Sequence, residues 1–244
     1  MTDHRVTVET AGRTATVRFD RADRANCFTA PALDDLVVAL EAAAATPPVS
    51  VVRLEMAGRH FCAGWDTREF GRLADGSAAE IEAALAVNDD RLDRIRHLPV
   101  PVVAAVRGRV AGFGAGLLAS LHLPVAADDA SLTLPEVGFG ISPAGVLHAL
   151  LQRLPRTAVN LLVLSGDVAD ADDLLRWGLV ATVRPAELLD GEVTRLVDRL
   201  AAHPGDVVRT IAAATRAVAE QGTAAAAYAA AAHSILHGRR EETS

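Results

Sequence analysis

Strand-like and helix-like segments alternate along this chain as far as about residue 185, and only helical spacing follows. Near the start, Arg5–Glu9 and Thr14–Phe19 alternate apolar and polar residues as strands do, and Ala11-Gly12 between them is typical of a hairpin turn. Such an alternation followed by helices alone predicts an α/β core with a helical appendage. We therefore expect a core over residues 1–185 and a second, helical region over residues 186–244.

The spacing of apolar residues predicts the further elements of the core. Strands are predicted at Val49–Glu55, at Val102–Val106, near Val125 and Leu132, and at Leu179–Val183. Helices are predicted after an N-cap at Thr29, over Glu80–His97, from the glycine-rich segment ending at Gly116 to about Leu121, and over Ala144–Leu154, Thr157–Leu164 and Asp170–Trp177. The alanine-rich segment Thr223–His237 buries little area by itself, so we expect it to pack on another helix in an oligomer, the alternative being a helix folded back on its own core.

Composition excludes several functional classes. All 24 cationic residues of this 244-residue chain are arginine, and without lysine there is neither a P-loop nor a Schiff base to a substrate or to pyridoxal phosphate. The formal net charge of −7 argues against a dedicated nucleic-acid-binding protein. Two cysteines argue against a disulfide framework. Since no apolar stretch reaches the ~18 residues that span a membrane and no signal peptide is visible, we expect a cytoplasmic protein.

Three short patterns are too weak to define a site. Gly114–Ala119 matches the dinucleotide-binding pattern G-x-G-x-x-A, but it lies in mid-chain rather than in a first βαβ unit. Gly140–Ala144 lacks the last glycine of a nucleophile elbow, and Ser142 within it is better interpreted as a helix N-cap. His233 and His237 lie four residues apart on a predicted helix without an evident third metal ligand. We therefore expect neither a metal nor a nicotinamide or flavin cofactor.

The strongest signal is a pair of glycine-containing loops, Gly58–Asp66 and Arg107–Gly116, each of which follows a buried strand. Glycine lets a backbone approach a ligand closely, and the second loop opens a helix whose free N–H groups favour negative charge. Further along, Pro135-Glu136 lies in an apolar stretch, where a carboxylate is costly unless it has a task or a partner. Glu136 is therefore a candidate catalytic residue, the alternative being a structural ion pair with an arginine.

Five motifs, taken together, resemble those of the crotonase, or enoyl-CoA hydratase/isomerase, superfamily. They follow the family's order and spacing from about Val6 to Val183. They are Arg21–Asn26 for R-P-x-x-x-N, Phe61–Asp66 for F-x-A-G-x-D, Arg107–Gly114 for N-G-x-x-x-G-G-G, Pro135-Glu136 for P-E, and Trp177–Val180 for A-G-L-V. The resemblance implies a spiral core of ββα units and a helical C-terminal part that builds homotrimers, often paired into hexamers.

The resemblance also implies the substrate and the roles of the site residues. The substrate would be an acyl-CoA thioester, so that coenzyme A is part of the substrate and no separate cofactor is expected. Trp65 and Phe113 would donate their backbone N–H groups to the thioester oxygen as an oxyanion hole, with Glu136 as the acid/base. The substrate or CoA contacts would be Arg24, Cys62, Ala63, Asp66 and Gly112. Arg239, Arg240 and Tyr228 of the tail are weaker candidates, a solvated terminus and a packing role being the alternatives.

The sequence departs from the family's pattern at several positions. Hydratases of the family usually carry a second glutamate, and the spacing places it at Gly116, which has no side chain. A customary aspartate is replaced by His122. Trp65 and Phe113 are bulkier than the usual residues, so either their rings narrow the acyl pocket or they point into the core.

Isomerisation needs one base, whereas hydration benefits from two carboxylates. We therefore expect an enoyl-CoA isomerase or hydratase that acts through an enolate with a single glutamate. One alternative is a lyase or decarboxylase acting on an acyl-CoA or acyl-carrier thioester, and another is a non-catalytic scaffold that binds CoA thioesters.

Overall fold

Parallel strands form the centre of the fold in a computed structural model that describes residues 4–221. The strands are β1 (Arg5–Ala11), β2 (Thr14–Asp20), β3 (Val51–Met56), β4 (Val102–Val106), β5 (Arg109–Ala111), β6 (Leu123–Ala127), β7 (Ser131–Thr133), β8 (Ala169–Asp170) and β9 (Thr182–Arg184). One sheet has the order β1-β2-β3-β4-β6-β9, in which only the β1–β2 hairpin is antiparallel. A smaller sheet has the order β5-β7-β8.

Helices connect and cover these strands. They are α1 (Ala30–Ala45), α2 (Thr67–Ala74), α3 (Ala78–Arg96), α4 (Phe113–Ser120), α5 (Ala144–Leu151), α6 (Arg156–Ser165), α7 (Ala171–Arg176), α8 (Leu189–Ala202) and α9 (Gly205–Gln221). Short 3₁₀ turns lie at Ala22–Arg24, Pro135–Phe139 and Ala186–Leu188. The alternation of strands and helices confirms the predicted α/β class.

Alternate residues of the central strands face two different helical layers, as the pleat of a strand requires. Val102 and Ala104 of β4 belong to the main core, which α1, α3 and α4 share. Val103 and Ala105 face the other way and pack against Val193 and its neighbours on α8. Because both faces of the sheet are covered, β4 is buried along its whole length and is apolar throughout.

Most predicted elements lie within a few residues of the observed ones. Thr29 is the N-cap of α1, as predicted, and its hydroxyl accepts a hydrogen bond from the Ala32 N–H at 3.3 Å. The predicted strand Leu179–Val183 is wrong in extent, because Leu179 and Val180 are buried in the turn after Gly178 and only Thr182–Arg184 pairs with β6. Ser142 is not an N-cap, since α5 begins at Ala144 after Pro143 and no side chain caps it.

The helical region after residue 185 is described only in part. Helix α8 covers one face of the sheet, and Arg209 of α9 donates to the carbonyl oxygens of Ala44 and Val49. Over residues 4–221, no helix has the length and hydropathy that crossing a membrane requires. Two sets of predictions lie outside the described residues. One is the segment Thr223–His237, which was expected to pack in an oligomer and which includes Tyr228, His233 and His237. The other is the pair Arg239 and Arg240, which were weaker candidates for a CoA contact. The division at residue 185 and the trimer or hexamer stay predictions.

Candidate active site

The two glycine-containing loops lie side by side. The Cys62 N–H donates to the Arg109 carbonyl oxygen at 3.2 Å, and the Ala111 N–H donates to the Cys62 carbonyl oxygen at 2.9 Å. The first loop thus continues the small sheet along the edge of β5. This pairing brings Gly64 of the first loop and Gly112 of the second loop next to each other.

Gly64 is required where the loops meet. Its φ is +101°, and a Cβ there would lie 2.9 Å from the Ala111 carbonyl oxygen and 3.5 Å from the Phe113 nitrogen. A side chain at this position would therefore push the loops apart. Without one, Trp65 and Phe113 come close enough for their rings to pack edge to face, with centroids 5.2 Å apart.

The backbone N–H groups of Trp65 and Phe113 are both available to a ligand. Phe28 pairs with the Gly64 carbonyl and the Asp66 N–H, so the Trp65 N–H between them points away from Phe28. The Phe113 N–H belongs to the first turn of α4, where an N–H has no acceptor within the helix. No described residue accepts a hydrogen bond from either group. Two donors of this kind can stabilise an oxygen that gains negative charge.

The Glu136 carboxylate is held beside these donors. It lies in the 3₁₀ turn Pro135–Phe139, and its Oε1 would be 2.8 Å from a Cβ at Gly112. Its Oε2 is buried and has no hydrogen-bond partner among the described residues. Burial raises the pKa of this carboxyl above its ordinary value, and the residue's own backbone N–H offsets this only partly. No ion pair of Glu136 with an arginine is present within residues 4–221, so the structural alternative is not supported.

A cavity of about 240 Å³ joins these groups. Trp65, Phe113 and Glu136 line it together with mainly apolar side chains from α2, α3 and α5. Phe113 is 8% exposed and belongs to the main core, and Trp65 packs against that core, so both rings pack inward although both residues line the cavity. A larger cavity of about 690 Å³ lies under α9, but neither glycine loop contributes to it.

The position expected to carry a second glutamate has no room for one. Gly116 is buried in α4, and a Cβ there would lie 2.9 Å from Cδ1 of Leu92 and 3.0 Å from Cγ1 of Val146. These two side chains fill the space that a glutamate would need. Among the described residues that line the cavity, Glu136 is the only one with a carboxylate.

Some of the predicted CoA contacts lie at the cavity or on the surface, and the others support the first loop from within the protein. Ala63 and Gly112 line the cavity, and Arg24 is half exposed, with a carboxylate oxygen of Asp23 3.9 Å away. Cys62 is fully buried behind the loop, and burial raises the pKa of its thiol to about 12, so its side chain supports the loop and does not face a ligand. The carboxylate of Asp66 caps α2 and pairs with arginines, its N–H donates to the Phe28 carbonyl oxygen, and its carbonyl oxygen accepts from the N–H groups of α2, so Asp66 supports the loop and neither its side chain nor its backbone is left for a CoA contact.

Two buried polar residues hold the first loop, and the sequence analysis gave them no role. The Arg21 guanidinium donates to the Asp66 carboxylate at 2.9 Å and to the Cys27 carbonyl oxygen at 2.8 Å. Asn26, at φ +54°, donates through Nδ2 to the carbonyl oxygens of Ala57 and His60 at 2.7 and 2.8 Å. The sequence did offer a signal for these roles, because Arg21 and Asn26 are the first and last residues of the motif matched at Arg21–Asn26. Asp66 has a pKa held well below its usual range, mainly by Arg68 and also by Arg21.

His122 takes a structural place at the start of β6. Its Nδ1 accepts a hydrogen bond from the Val102 N–H at 3.3 Å, so the ring can anchor β4 only while that nitrogen is unprotonated. Burial, and next the charge of Arg153, lower the pKa of His122 to about 4. The ring is therefore neutral at pH 7 and serves as a hydrogen-bond acceptor.

Comparison with solved structures identifies the fold as that of the crotonases. The enoyl-CoA hydratase of Mycobacterium smegmatis superimposes with a TM-score of 0.86 over 96% of this chain and 90% of its own, at 28% identity. A structure from Marinobacter aquaeolei described as an enoyl-CoA hydratase/isomerase gives a TM-score of 0.87 at 22% identity. The spiral arrangement expected from the motifs is confirmed.

Sequence comparison then places the chain in a family. The family model described as enoyl-CoA hydratase/isomerase matches residues 9–241. A 2,3-dehydroadipyl-CoA hydratase of Escherichia coli is 31% identical over 78% of this chain and 73% of its own length. A carnitinyl-CoA dehydratase of Proteus mirabilis is 35% identical, but the match spans only 59% of that protein. The chain belongs to the enoyl-CoA hydratase/isomerase family.

Proposed function

We propose that this protein is an acyl-CoA-processing enzyme that works through an enolate with one carboxylate. The backbone N–H groups of Trp65 and Phe113 bind the thioester oxygen and stabilise the charge that it gains, and Glu136 moves the proton. The observation that carries the proposal is the Glu136 carboxylate, half-buried with an unpartnered Oε2 and held against Gly112, the residue before one of the two free N–H groups.

The leading reaction is isomerisation of an enoyl thioester. Glu136 removes a proton from C2 of a 3-enoyl thioester, and the electrons of that C–H bond move onto the thioester oxygen. The protonated Glu136 then returns the proton to C4, so the double bond moves from C3–C4 to C2–C3 and no other reactant is consumed. The raised pKa of Glu136 suits both halves of this transfer, because the protonated form must persist until it gives the proton back.

Hydration of a 2-enoyl thioester uses the same oxyanion site but requires Glu136 to perform two tasks. The one carboxylate would have to orient the water and also deliver the proton, since Leu92 and Val146 fill the place of the second glutamate. We therefore expect hydration to be the slower of the two activities.

A second candidate is decarboxylation of a malonyl-type thioester, which the filled space beside Gly116 also favours. In that reaction the bond between C2 and the carboxylate breaks, carbon dioxide leaves and the enolate takes a proton at C2. No base is needed for the bond-breaking step, so this activity would depend less on Glu136.

Product analysis distinguishes these reactions. The wild-type protein, Glu136→Gln and the control Glu187→Gln, at an exposed position in the turn before α8, are incubated with 3-enoyl, 2-enoyl and malonyl-type CoA thioesters, and the products are identified by mass and retention time. Turnover of the 3-enoyl thioester that is lost only in Glu136→Gln supports the proposal. Turnover of the malonyl-type thioester that survives in Glu136→Gln supports decarboxylation. If no thioester is consumed, the result contradicts the proposed enzyme and favours a non-catalytic scaffold that binds CoA thioesters.

A further inference from the structure

Asn88 on α3 has a side-chain amide whose orientation is fixed. Its Oδ1 accepts a hydrogen bond from Nη1 of Arg91 at 2.8 Å. The same guanidinium donates through Nε and Nη2 to the two carboxylate oxygens of Asp34, at 2.7 and 2.6 Å. Because a guanidinium has only donors, the amide oxygen must face Arg91 and the –NH₂ group must face away from it.

The –NH₂ group of Asn88 is left without an acceptor. Asn88 is 8% exposed and lines the candidate acyl cavity. No described residue accepts a hydrogen bond from its Nδ2, although that nitrogen is not sealed off within the protein. Because Asn88 lines a largely apolar cavity, a polar group of a bound ligand would supply the acceptor that this nearly buried donor lacks within the protein.

The position of Asn88 links it to the reacting end of the cavity. Leu92, one turn later on the same face of α3, packs against Gly116, and so does Val146, which also lines the cavity. Asn88 and Val146 therefore both line the cavity, and Val146 is one of the two side chains that fill the space beside Gly116.

We propose that Asn88 is a specificity-determining residue that donates a hydrogen bond to an oxygen on the acyl chain of the substrate. This inference rests on the proposed function, since it assumes that an acyl-CoA occupies the cavity. The preferred class is an acyl-CoA thioester with a hydroxyl or keto oxygen on the part of its acyl chain that lies within the 240 Å³ cavity, because Asn88 lines that cavity. A carboxylate is disfavoured, because Asp34 already neutralises the charge of Arg91.

Binding of saturated thioesters, which lack the double bond that the proposed isomerisation moves, tests this inference without following turnover. The Kd values of butyryl-CoA, 3-hydroxybutyryl-CoA, 4-hydroxybutyryl-CoA and acetoacetyl-CoA are measured by calorimetry for the wild type, Asn88→Leu and Asn88→Asp. Asn88→Asp keeps an oxygen for Arg91 and removes the donor, whereas Asn88→Leu removes both. Glu136→Gln is the control that removes the proposed base but keeps the amide.

We expect the wild type and Glu136→Gln to bind at least one oxygenated thioester about tenfold more tightly than butyryl-CoA, the range expected for pairing one nearly buried donor. Both Asn88 variants should lose that preference while keeping the Kd for butyryl-CoA. Equal binding of all four thioesters by the wild type overturns the role of Asn88 but leaves the proposed function standing. An equal loss of affinity for all four thioesters in both Asn88 variants would also overturn this role, because it would indicate that Asn88 is structural, and it too would leave the proposed function standing. If the wild type binds none of them, the proposed function itself fails.

Discussion

Oε1 of Glu136 lies 2.8 Å from the point where Gly112 would carry its Cβ. The carboxylate therefore rests against a backbone that only glycine can provide, both for space and because Gly112 has a φ of +49°. The same residue immediately precedes the free N–H of Phe113. One glycine thus fixes the proposed base relative to one of the two proposed oxyanion donors.

Gly112→Ala should displace the carboxylate. The new methyl group would overlap Oε1, and we expect a loss of about 100-fold in kcat/KM, as for a reacting group misplaced by about 1 Å. The positive φ should also lower the free energy of unfolding by about 1–3 kcal/mol. Gly12→Ala is the matched control, since Gly12 has a φ of +57° and no atom within 4 Å of its added Cβ. The control should lose stability but keep activity, and equal activity losses in both variants would contradict this account.

The activity should fall at low pH with a midpoint above the ordinary pKa of a glutamate. Burial raises the pKa of Glu136, and the free enzyme must have it ionised to accept a proton. As the pH falls through that raised value, kcat/KM should therefore decrease tenfold per pH unit. A profile measured between about pH 4 and 8 checks this, and Glu187→Gln should leave the profile unchanged. A flat profile would exclude Glu136 as the base.

His122 should make the protein less stable in mild acid. Its pKa is about 4 in the folded protein and 6.5 as the reference for the unfolded chain. The folded state therefore binds fewer protons, so the contribution of the neutral ring is fully present above pH 6.5 and is lost as the pH falls towards 4. The loss amounts to about 3 kcal/mol.

His122→Asn keeps an acceptor for the Val102 N–H but removes the titration, so its free energy of unfolding should depend less on pH over that range. Urea unfolding at pH 4.5, 5.5 and 6.5 provides the comparison, and His203→Gln, at an exposed position, is the control. A variant that parallels the wild type at all pH values would assign the acid sensitivity to other groups.

Arg21 and Arg68 both pair with Asp66, but they should differ in their effect on stability. Arg68 contributes most to lowering the pKa of Asp66, yet its side chain is 62% exposed and water screens the pair. The Arg21 side chain is fully buried, so Arg21→Met would leave the Asp66 carboxylate, itself 7% exposed, without its internal partner. We expect a loss of about 3 kcal/mol for Arg21→Met and less than about 1 kcal/mol for Arg68→Met in urea unfolding. Equal losses would show that burial does not decide the strength of this pair.

The sequence predicted the elements of the fold wherever apolar spacing was strong. Val102–Val106 is a strand with the predicted bounds, because a run of five buried residues between prolines and a glycine loop leaves little freedom. Helix α2 was not predicted, because half of the residues in Thr67–Ala74 are polar or charged. The bond from the Arg68 N–H to the carboxylate of its N-cap, Asp66, is visible only in three dimensions. Strand β5 is three residues long and was hidden within the glycine-rich segment.

The sequence predicted the residues that line the candidate site but not the buried residues that hold its first loop in place. Motif order indicated Trp65, Phe113 and Glu136, and the structure brings all three to one cavity. The roles of Arg21 and Asn26 depend on contacts between segments about 30 to 45 residues apart, so spacing along the chain could not reveal them. Cys62 and Asp66 flank the three residues Ala63, Gly64 and Trp65 that line the cavity, and a linear pattern does not say which residues of the motif face a ligand and which are buried behind it.

The packing around Gly116 sets a condition on placing a second carboxylate at that position. Gly116→Glu alone would force a carboxylate into Leu92 and Val146, within a buried and apolar helix contact. Trimming Leu92 first would open a cavity in the core, at a cost of about 2–5 kcal/mol. A glutamate at position 116 would therefore require the Leu92 and Val146 side chains to move away from it. Engineers who want that activity would have to redesign α3, α4 and α5 together.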